Sequence, residues 1–153
     1  MDWKSKRYLI PKTGLLDEFK TFTDMVEGTY LQDIPENALI EVQAEDIILN
    51  IAIIDKDRAE IAVKGNVNFF TTPETCLLAG STLGGSFLKM RWLGVGFRIE
   101  LHRLKKPLLD PAHVITTSFI QKINILEDPD AILNYQDKAL ALIEEALKNS
   151  RTN

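Results

Sequence analysis

The middle of the chain alternates apolar and polar residues, which is the pattern of antiparallel strands with one buried face. The clearest case is the segment 58–70, where Ile61, Val63, Val67 and Phe69 share one parity and polar residues share the other. The same pattern predicts strands over 6–10, 38–43, 47–54, 58–70, 87–93, 96–104 and 115–126. Such strands favour a meander in which one sheet face packs on a core and the other meets water.

Two further segments carry apolar residues at spacings of three and four, which predicts amphipathic helices. The first begins near Thr13 and ends near Gly28. The second is long and C-terminal, with Asp128 as its cap and Pro129 at its first position. Together the elements predict an α+β fold: a curved antiparallel sheet of about six strands, covered on one face by the N-terminal helix and the long C-terminal helix.

This element order resembles the helix-grip architecture of the Bet v 1 and START proteins, which have a curved sheet closed by a long helix. The chain carries no internal repeat and no linker rich in Ser, Gly or Pro. We therefore expect a single domain over 1–153, with its core at 3–149 and a frayed polar tail at 150–153.

The first central hairpin has a register that parity constrains. A three-residue turn at 55–57 pairs Ile51 with Ile61 and Leu49 with Val63, all on the core face. A slip by one residue would move a whole strand to the other face. The three-residue turn is therefore the predicted one.

The second hairpin is predicted over 87–104, with Gly94 and Val95 as a two-residue turn. The cross-strand pairs that follow are Leu88–Leu101, Met90–Ile99, Trp92–Phe97, Lys89–Glu100 and Arg91–Arg98. Because like charges directly opposite each other destabilise a sheet, the two arginines favour a carboxylate, an anionic ligand or a partner protein between them.

Charge changes this picture more than composition does. The 153 residues carry 18 Lys and Arg against 22 Asp and Glu, a net charge of −4. That total hides a basic stretch at 87–106, with six bases and one acid, and an acidic stretch at 13–86, with thirteen acids and four bases. We therefore predict a non-enzymatic binding or interaction domain whose basic hairpin face contacts an acidic partner, a second copy or an anionic group. The predicted contact residues are Lys89, Arg91, Arg98, His102, Arg103 and Lys105.

Two alternatives use neighbouring residues. In the first, an apolar cavity between the sheet and the C-terminal helix binds an apolar small molecule, and its predicted lining is Met90, Trp92, Phe97 and Ile99. In the second, the Gly-rich stretch at 80–86 forms an anion-binding loop at Gly84, Gly85 and Ser86.

Within that stretch, Ser81-x-x-Gly84 resembles part of the motif of the PilZ domain, a family that binds a cyclic dinucleotide. The family has Asp or Asn two residues before the Ser, where this chain has Ala79. Its arginine motif is loosely matched by Lys4, Lys6 and Arg7.

Catalysis is the third class, since the chain shows no recognisable catalytic motif. The only histidines, His102 and His113, lack metal-ligand spacing, and Cys76 sits among apolar residues. The sequence therefore favours a non-enzyme without cofactor or metal.

The single cysteine and the charged N-terminus indicate a cytoplasmic protein. The apolar runs are too short to span a membrane, and the pI near 5.2 disfavours nucleic acid.

Overall fold

The computed structural model describes residues 27–67, 70–83, 87–126 and 132–150, with helix side chains from residue 138 onward. Within these ranges lie nine strands, one α-helix and one short 3-10 helix over Leu31–Asp33. In chain order the strands and the α-helix are β1 (Gly28–Tyr30), β2 (Leu39–Ala44), β3 (Ile48–Asp55), β4 (Glu60–Gly65), β5 (Glu74–Thr82), β6 (Leu88–Met90), β7 (Trp92–Gly94), β8 (Arg98–Arg103), β9 (Val114–Leu126) and α1 (Ile132–Ser150). The strand predicted at 6–10, most of the predicted N-terminal helix and the cap at Asp128 and Pro129 lie outside the described residues.

Six strands form a closed antiparallel barrel. Around it, β2 pairs with β3, β3 with β4, β4 with β5, β5 with β8, β8 with β9, and β9 with β2 again. The seam that closes it pairs β4 with β5, with Ala62 opposite Thr75. The α+β class and the mainly antiparallel sheet are thus confirmed. The open curved sheet is corrected to a barrel, because closure satisfies the backbone groups that two edge strands would expose.

The barrel interior is filled by apolar side chains from every strand of the ring. The largest of these side chains, all essentially inaccessible to solvent, are Ile40, Leu49, Ile51, Ile61, Leu78, Ile99, Leu101 and Ile120. Ile61 and Val63 lie on the interior side of β4, as their parity predicts. The strand is shorter than the predicted 58–70, and Val67, predicted on the same face, lies beyond its end and is 43% exposed, while Glu60 is buried. These side chains form one continuous buried apolar cluster inside the ring of strands.

Helix α1 packs against the outside of the barrel. Its buried residues Ala139, Leu142 and Ala146 cluster with Leu39, Ala52 and Ala62, which come from three neighbouring strands. Alanines on both sides let the helix backbone approach the strands closely. The predicted long C-terminal helix is confirmed, and it covers an outer face of the closed sheet.

The first hairpin has a different register from the predicted one. Ile51 pairs with Val63 and Ile53 with Ile61, so the strands are shifted by two residues. The turn has four residues, 56–59, and an irregularity between Ile53 and Asp55 inserts one extra residue. Because the bulge offsets the longer turn, the apolar residues keep their parity.

The predicted hairpin over 87–104 is wrong. Residues of β6 pair with β5, those of β7 pair with β1, and β8 lies between β5 and β9. The segment is broken at Arg91, whose φ of 54° lies in the left-handed region. The turn also falls one residue later than predicted, at Val95 and Gly96, and closes with a hydrogen bond from the Phe97 N–H to the Gly94 carbonyl.

Strand β5 was missed by the sequence analysis, although it joins β4, β6 and β8. Its second half depends on Gly80, which has a φ of 144°. A Cβ at this position would lie 2.0 Å from the carbonyl oxygen of Lys89. Only glycine therefore lets β6 approach β5 so closely.

Candidate functional site

The short link between β6 and β7 holds Arg91 in a fixed, strained backbone conformation. Its N–H donates to the Ala79 carbonyl at 3.0 Å, and its carbonyl accepts from the Leu31 N–H at 2.8 Å. A non-glycine residue at positive φ is uncommon and costs about 1 kcal/mol or more. Both backbone groups of this half-buried residue are hydrogen-bonded, which holds its backbone in this conformation.

Beside it, the ammonium group of Lys89 is held by aromatic rings. Its Nζ lies 4.4 Å from the centre of the Trp92 ring and 5.4 Å from that of Tyr30. The Trp92 ring in turn meets Phe97 edge-on, with centroids 5.4 Å apart. Such cation–π contacts orient the ammonium group over the rings.

These elements border a surface groove, here called the Arg91 groove, that is lined by Tyr30, Gln32, Asp33, Met90 and Arg91. Its volume is about 420 Å³. Tyr30 is 46% exposed and Met90 is 68% exposed, so apolar as well as charged groups face solvent here. Within the described part of the chain, no acidic residue forms an ion pair with Arg91.

Sequence reasoning missed Tyr30, Gln32 and Asp33. They reach the groove because β1 pairs with β7, with Tyr30 opposite Trp92. The one sequence signal was the short β-prone run at Thr29 and Tyr30 ahead of the loop. Nothing in the sequence linked that run to residue 92.

The six predicted contact residues do not share one face. On the neighbouring strands, Lys89 is level with Ser81 and Arg98 is level with Thr82, so the two side chains point to opposite faces of the sheet. Arg98 lies 4.5 Å over the Phe119 ring. His102 Nε2 is 2.9 Å from an oxygen of Glu100, and Lys105 is exposed in the connection after β8.

Arg103 has a structural partner inside one end of the barrel. Its Nε donates to Glu74 at 3.0 Å and its terminal nitrogen donates to the other oxygen at 2.7 Å. The side chains are 17% and 6% exposed. The hydrogen bond to Glu74 raises the pKa of the Arg103 guanidinium above its ordinary value, although burial opposes this. The Arg103 side chain is therefore engaged in an ion pair within the barrel.

The residues predicted to line a cavity lie in three different environments. Met90 is on the surface, Trp92 and Phe97 pack on each other, and Ile99 belongs to the barrel interior. A groove of about 440 Å³ does lie between α1 and the barrel, with other lining residues. It combines Leu39, Leu126 and Leu142 with the charged residues Glu41, Lys64, Lys138 and Glu145.

The predicted anion loop at Gly84, Gly85 and Ser86 lies outside the described residues. Ser81, which carries the PilZ-like resemblance, is fully buried and serves the fold. Its hydroxyl donates to the Trp92 carbonyl at 2.6 Å and accepts from the Gly94 N–H at 3.2 Å. The hydroxyl thereby ties β5 to the β7 segment beneath Lys89.

The described residues offer little for catalysis. Burial, reinforced by the Glu74 carboxylate, raises the pKa of the Cys76 thiol far above its ordinary value, so the nucleophilic thiolate is suppressed. His102 and His113 come together with ring centres 5.5 Å apart, a contact their sequence separation did not suggest. Nδ1 of His113 is 2.9 Å from the Lys106 carbonyl oxygen.

The described ranges contain neither a cluster of metal-binding side chains nor a membrane-spanning helix. No group of three or more His, Cys, Asp or Glu side chains there is placed to hold a metal ion. No helix among those residues is long and apolar enough to cross a membrane. Comparison of the chain with known proteins finds no matching family model, no similar curated protein and no similar solved structure.

Proposed function

We propose that this protein is a non-enzymatic binding domain that captures an acidic segment of a partner protein in the Arg91 groove. The observation that carries the proposal is Arg91 itself. Its side chain is half-buried, its backbone is held at positive φ by two hydrogen bonds, and no acidic side chain among the described residues forms an ion pair with it. Strain that is maintained by surrounding contacts is typical of ligand-binding positions.

The groove's composition favours a peptide over a polyphosphate. Asp33 lies in the same groove as Arg91, so a ligand with only negative charge would be repelled on one side. An acidic peptide supplies carboxylates for Arg91 and backbone N–H groups for Asp33. Tyr30 and Met90 add exposed apolar surface for its side chains.

A direct test is a titration with a fluorescein-labelled peptide rich in Glu, followed by fluorescence anisotropy at low ionic strength. Arg91→Glu should raise the dissociation constant at least tenfold, since it replaces attraction with repulsion. Both residues are L-amino acids with a Cβ, so the strained backbone conformation is equally unfavourable in both proteins.

Lys122→Glu is the matched control, because Lys122 is exposed on β9 and the substitution changes net charge by the same amount. It should leave peptide binding within about twofold of wild type. Equal losses in the two variants would mean that only net charge matters, and an unaffected Arg91→Glu would refute the site.

A second candidate function is supported by the groove between α1 and the barrel. Its three leucines and four charged side chains suit an amphipathic small molecule. Ala141 is exposed and lines this groove, so Ala141→Trp should fill it without disturbing the core. If the groove binds such ligands, dodecanoate should be retained in native mass spectra of wild type and lost from this variant.

A further inference from the structure

The groove between α1 and the barrel, here called the α1 groove, carries opposite charges on its two walls. Lys64 comes from β4 and Glu145 from α1, and both side chains are exposed in the groove. On β4, Lys64 is two residues from Ala62, which packs against α1. Because alternate residues of a strand share a face, the Lys64 side chain leaves β4 on the helix side.

The two charges lie at the same end of the α1 groove. There the helix is tied to the barrel by Asn149, whose Nδ2 donates to the Pro73 carbonyl at 2.6 Å. Glu145 is four residues before Asn149 and therefore lies on the same side of the helix, one turn earlier. The register of β4 with β5 places Pro73 level with Lys64 on the neighbouring strand. Glu145 and Lys64 thus stand on either side of the end that Pro73 marks.

Neither of these two charges is neutralised by the part of the chain that the structure describes. The side chains of Lys64 and Glu145 form no ion pair with each other and no hydrogen bond with another described residue. The other charged residues of the groove are occupied. Glu41 accepts amide hydrogen bonds at 3.0 and 3.3 Å, and Lys138 has an interaction of its own within the chain. The groove therefore offers one cation and one anion to a ligand.

The leucines of the α1 groove lie away from this charged end. Leu39 and Leu126 are opposite each other on β2 and β9, and Leu142 adds apolar surface from the helix. Since β2 and β9 are two and three strands from β4, these leucines are about 10–15 Å from the strand that carries Lys64. A ligand that uses both parts of the groove must be elongated, with a charged head and an apolar tail.

We propose that the α1 groove takes a single-chain amphiphile with a zwitterionic head group. The anionic part of the head lies at Lys64, its cationic part lies at Glu145, and the tail lies along the leucines. The proposal rests on the second candidate function above, that this groove binds amphipathic small molecules. Glu145 would repel a purely anionic head and Lys64 a purely cationic one, whereas a zwitterion is attracted by both residues.

The test compares three probes that share a dodecyl chain and differ in head charge, by isothermal titration calorimetry at low ionic strength and below their critical micelle concentrations. They are N-dodecyl-N,N-dimethylglycine, dodecanoate and dodecyltrimethylammonium. Wild type should bind the zwitterion about fivefold more tightly than either of the others, which is the effect of one exposed ion pair. Trimethylglycine, the head group without a tail, should bind far more weakly because it cannot reach the leucines.

Two neutral variants should change the preference in opposite directions. Glu145→Gln leaves only the cation, so dodecanoate should become the best ligand, and Lys64→Gln leaves only the anion, so dodecyltrimethylammonium should become the best. Glu144→Gln and Lys122→Gln are the matched controls, since both residues are exposed on the same two kinds of element but do not line the groove. They should keep the wild-type order of affinities, and circular dichroism checks that every variant is folded.

The outcomes separate the head-group proposal from the function on which it rests. If wild type retains none of the dodecyl probes, the groove does not bind amphiphiles and both are refuted. If Ala141→Trp abolishes binding but the three heads bind equally, or if the order of affinities survives both glutamine variants, the groove function stands and the zwitterionic head is refuted. Equally tight binding of trimethylglycine would show that the tail plays no part and would also overturn the proposal.

Discussion

The Ser81 hydroxyl connects the barrel to the segment that carries the candidate site. It satisfies the Trp92 carbonyl and the Gly94 N–H, and Ser81 is fully buried. Ser81→Ala would leave both backbone groups without this partner, so we expect a loss of about 1–3 kcal/mol in the free energy of unfolding. Urea denaturation measures it, with the exposed Thr116→Ala as a control that should change stability by less than about 0.5 kcal/mol.

Cys76 predicts a specific alkaline instability. Burial raises the pKa of its thiol, so the folded chain keeps a proton that the unfolded chain releases once the pH passes the ordinary value of 9.0. Its contribution to stability is thus complete below that pH and falls above it, by about 1.4 kcal/mol per pH unit.

The measurement compares wild type with Cys76→Ala in urea denaturation from pH 8 to 10.5. Lysine and tyrosine titrations are common to both proteins, so the difference between the two curves isolates the thiol. A constant difference across this range would show that the Cys76 thiol ionises equally in the folded and unfolded chains.

At the scale of elements, α1 should be sensitive to volume on only one of its sides. Ala146 is fully buried against the barrel, whereas Ala141, five residues earlier and on another side of the helix, is exposed. Ala146→Leu should therefore cost about 1–3 kcal/mol of unfolding free energy by overpacking. Ala141→Leu should be nearly neutral, and thermal denaturation monitored by circular dichroism distinguishes the two. Equal losses of stability in the two variants would mean that α1 does not pack on the barrel through the side that carries Ala146.

The elements that sequence predicted best are those with one buried and one less buried face. Strands β2, β3, β8 and β9 lie close to their expected positions, because each carries apolar residues toward the interior. Strand β5 is buried on both faces for most of its length and contains Gly80, so it shows no alternation and reads as a loop. Alternation of apolar and polar residues identifies a strand only when one of its faces is buried and the other is more exposed.

The candidate site was only partly predictable for a related reason. Its two cations, Lys89 and Arg91, stand out in the charge pattern, and both face the region of the groove. Their neighbours Tyr30, in β1, and Asp33, in the 3-10 helix that follows β1, lie some 60 residues away in the chain. Arginine is not a residue type that indicates a left-handed φ, so the sequence did not predict the break in the expected hairpin at Arg91.

At the scale of the whole molecule, closure of the barrel redistributes the charges that the sequence places side by side. The basic stretch 87–106 is wound around the barrel, so Lys89, Arg98 and Arg103 lie in three separate environments. The Arg91 groove takes only part of this stretch, namely Arg91 with the neighbouring Lys89. The polarity along the chain therefore does not correspond to one basic face.

The pairing of β4 with β5, which closes the barrel, can be tested with an engineered disulfide between the two strands. Ala62 and Thr75 are opposite each other on β4 and β5, and antiparallel partners have Cα atoms about 4.5–5.5 Å apart, within disulfide reach. In a Cys76→Ala background, Ala62→Cys/Thr75→Cys should form an intramolecular disulfide during refolding in glutathione buffer.

The control pair is Ala62→Cys/Leu77→Cys, which joins the same strands two residues out of register. Diagonal neighbours are about 7–8 Å apart, too far for an unstrained disulfide, so this variant should stay largely reduced. The open sheet first expected has no strand over 74–82, so nothing in it would hold residue 75 opposite residue 62. A disulfide at 62/77 in preference to 62/75, seen by mass spectrometry of non-reduced tryptic peptides, would therefore rule out the observed seam.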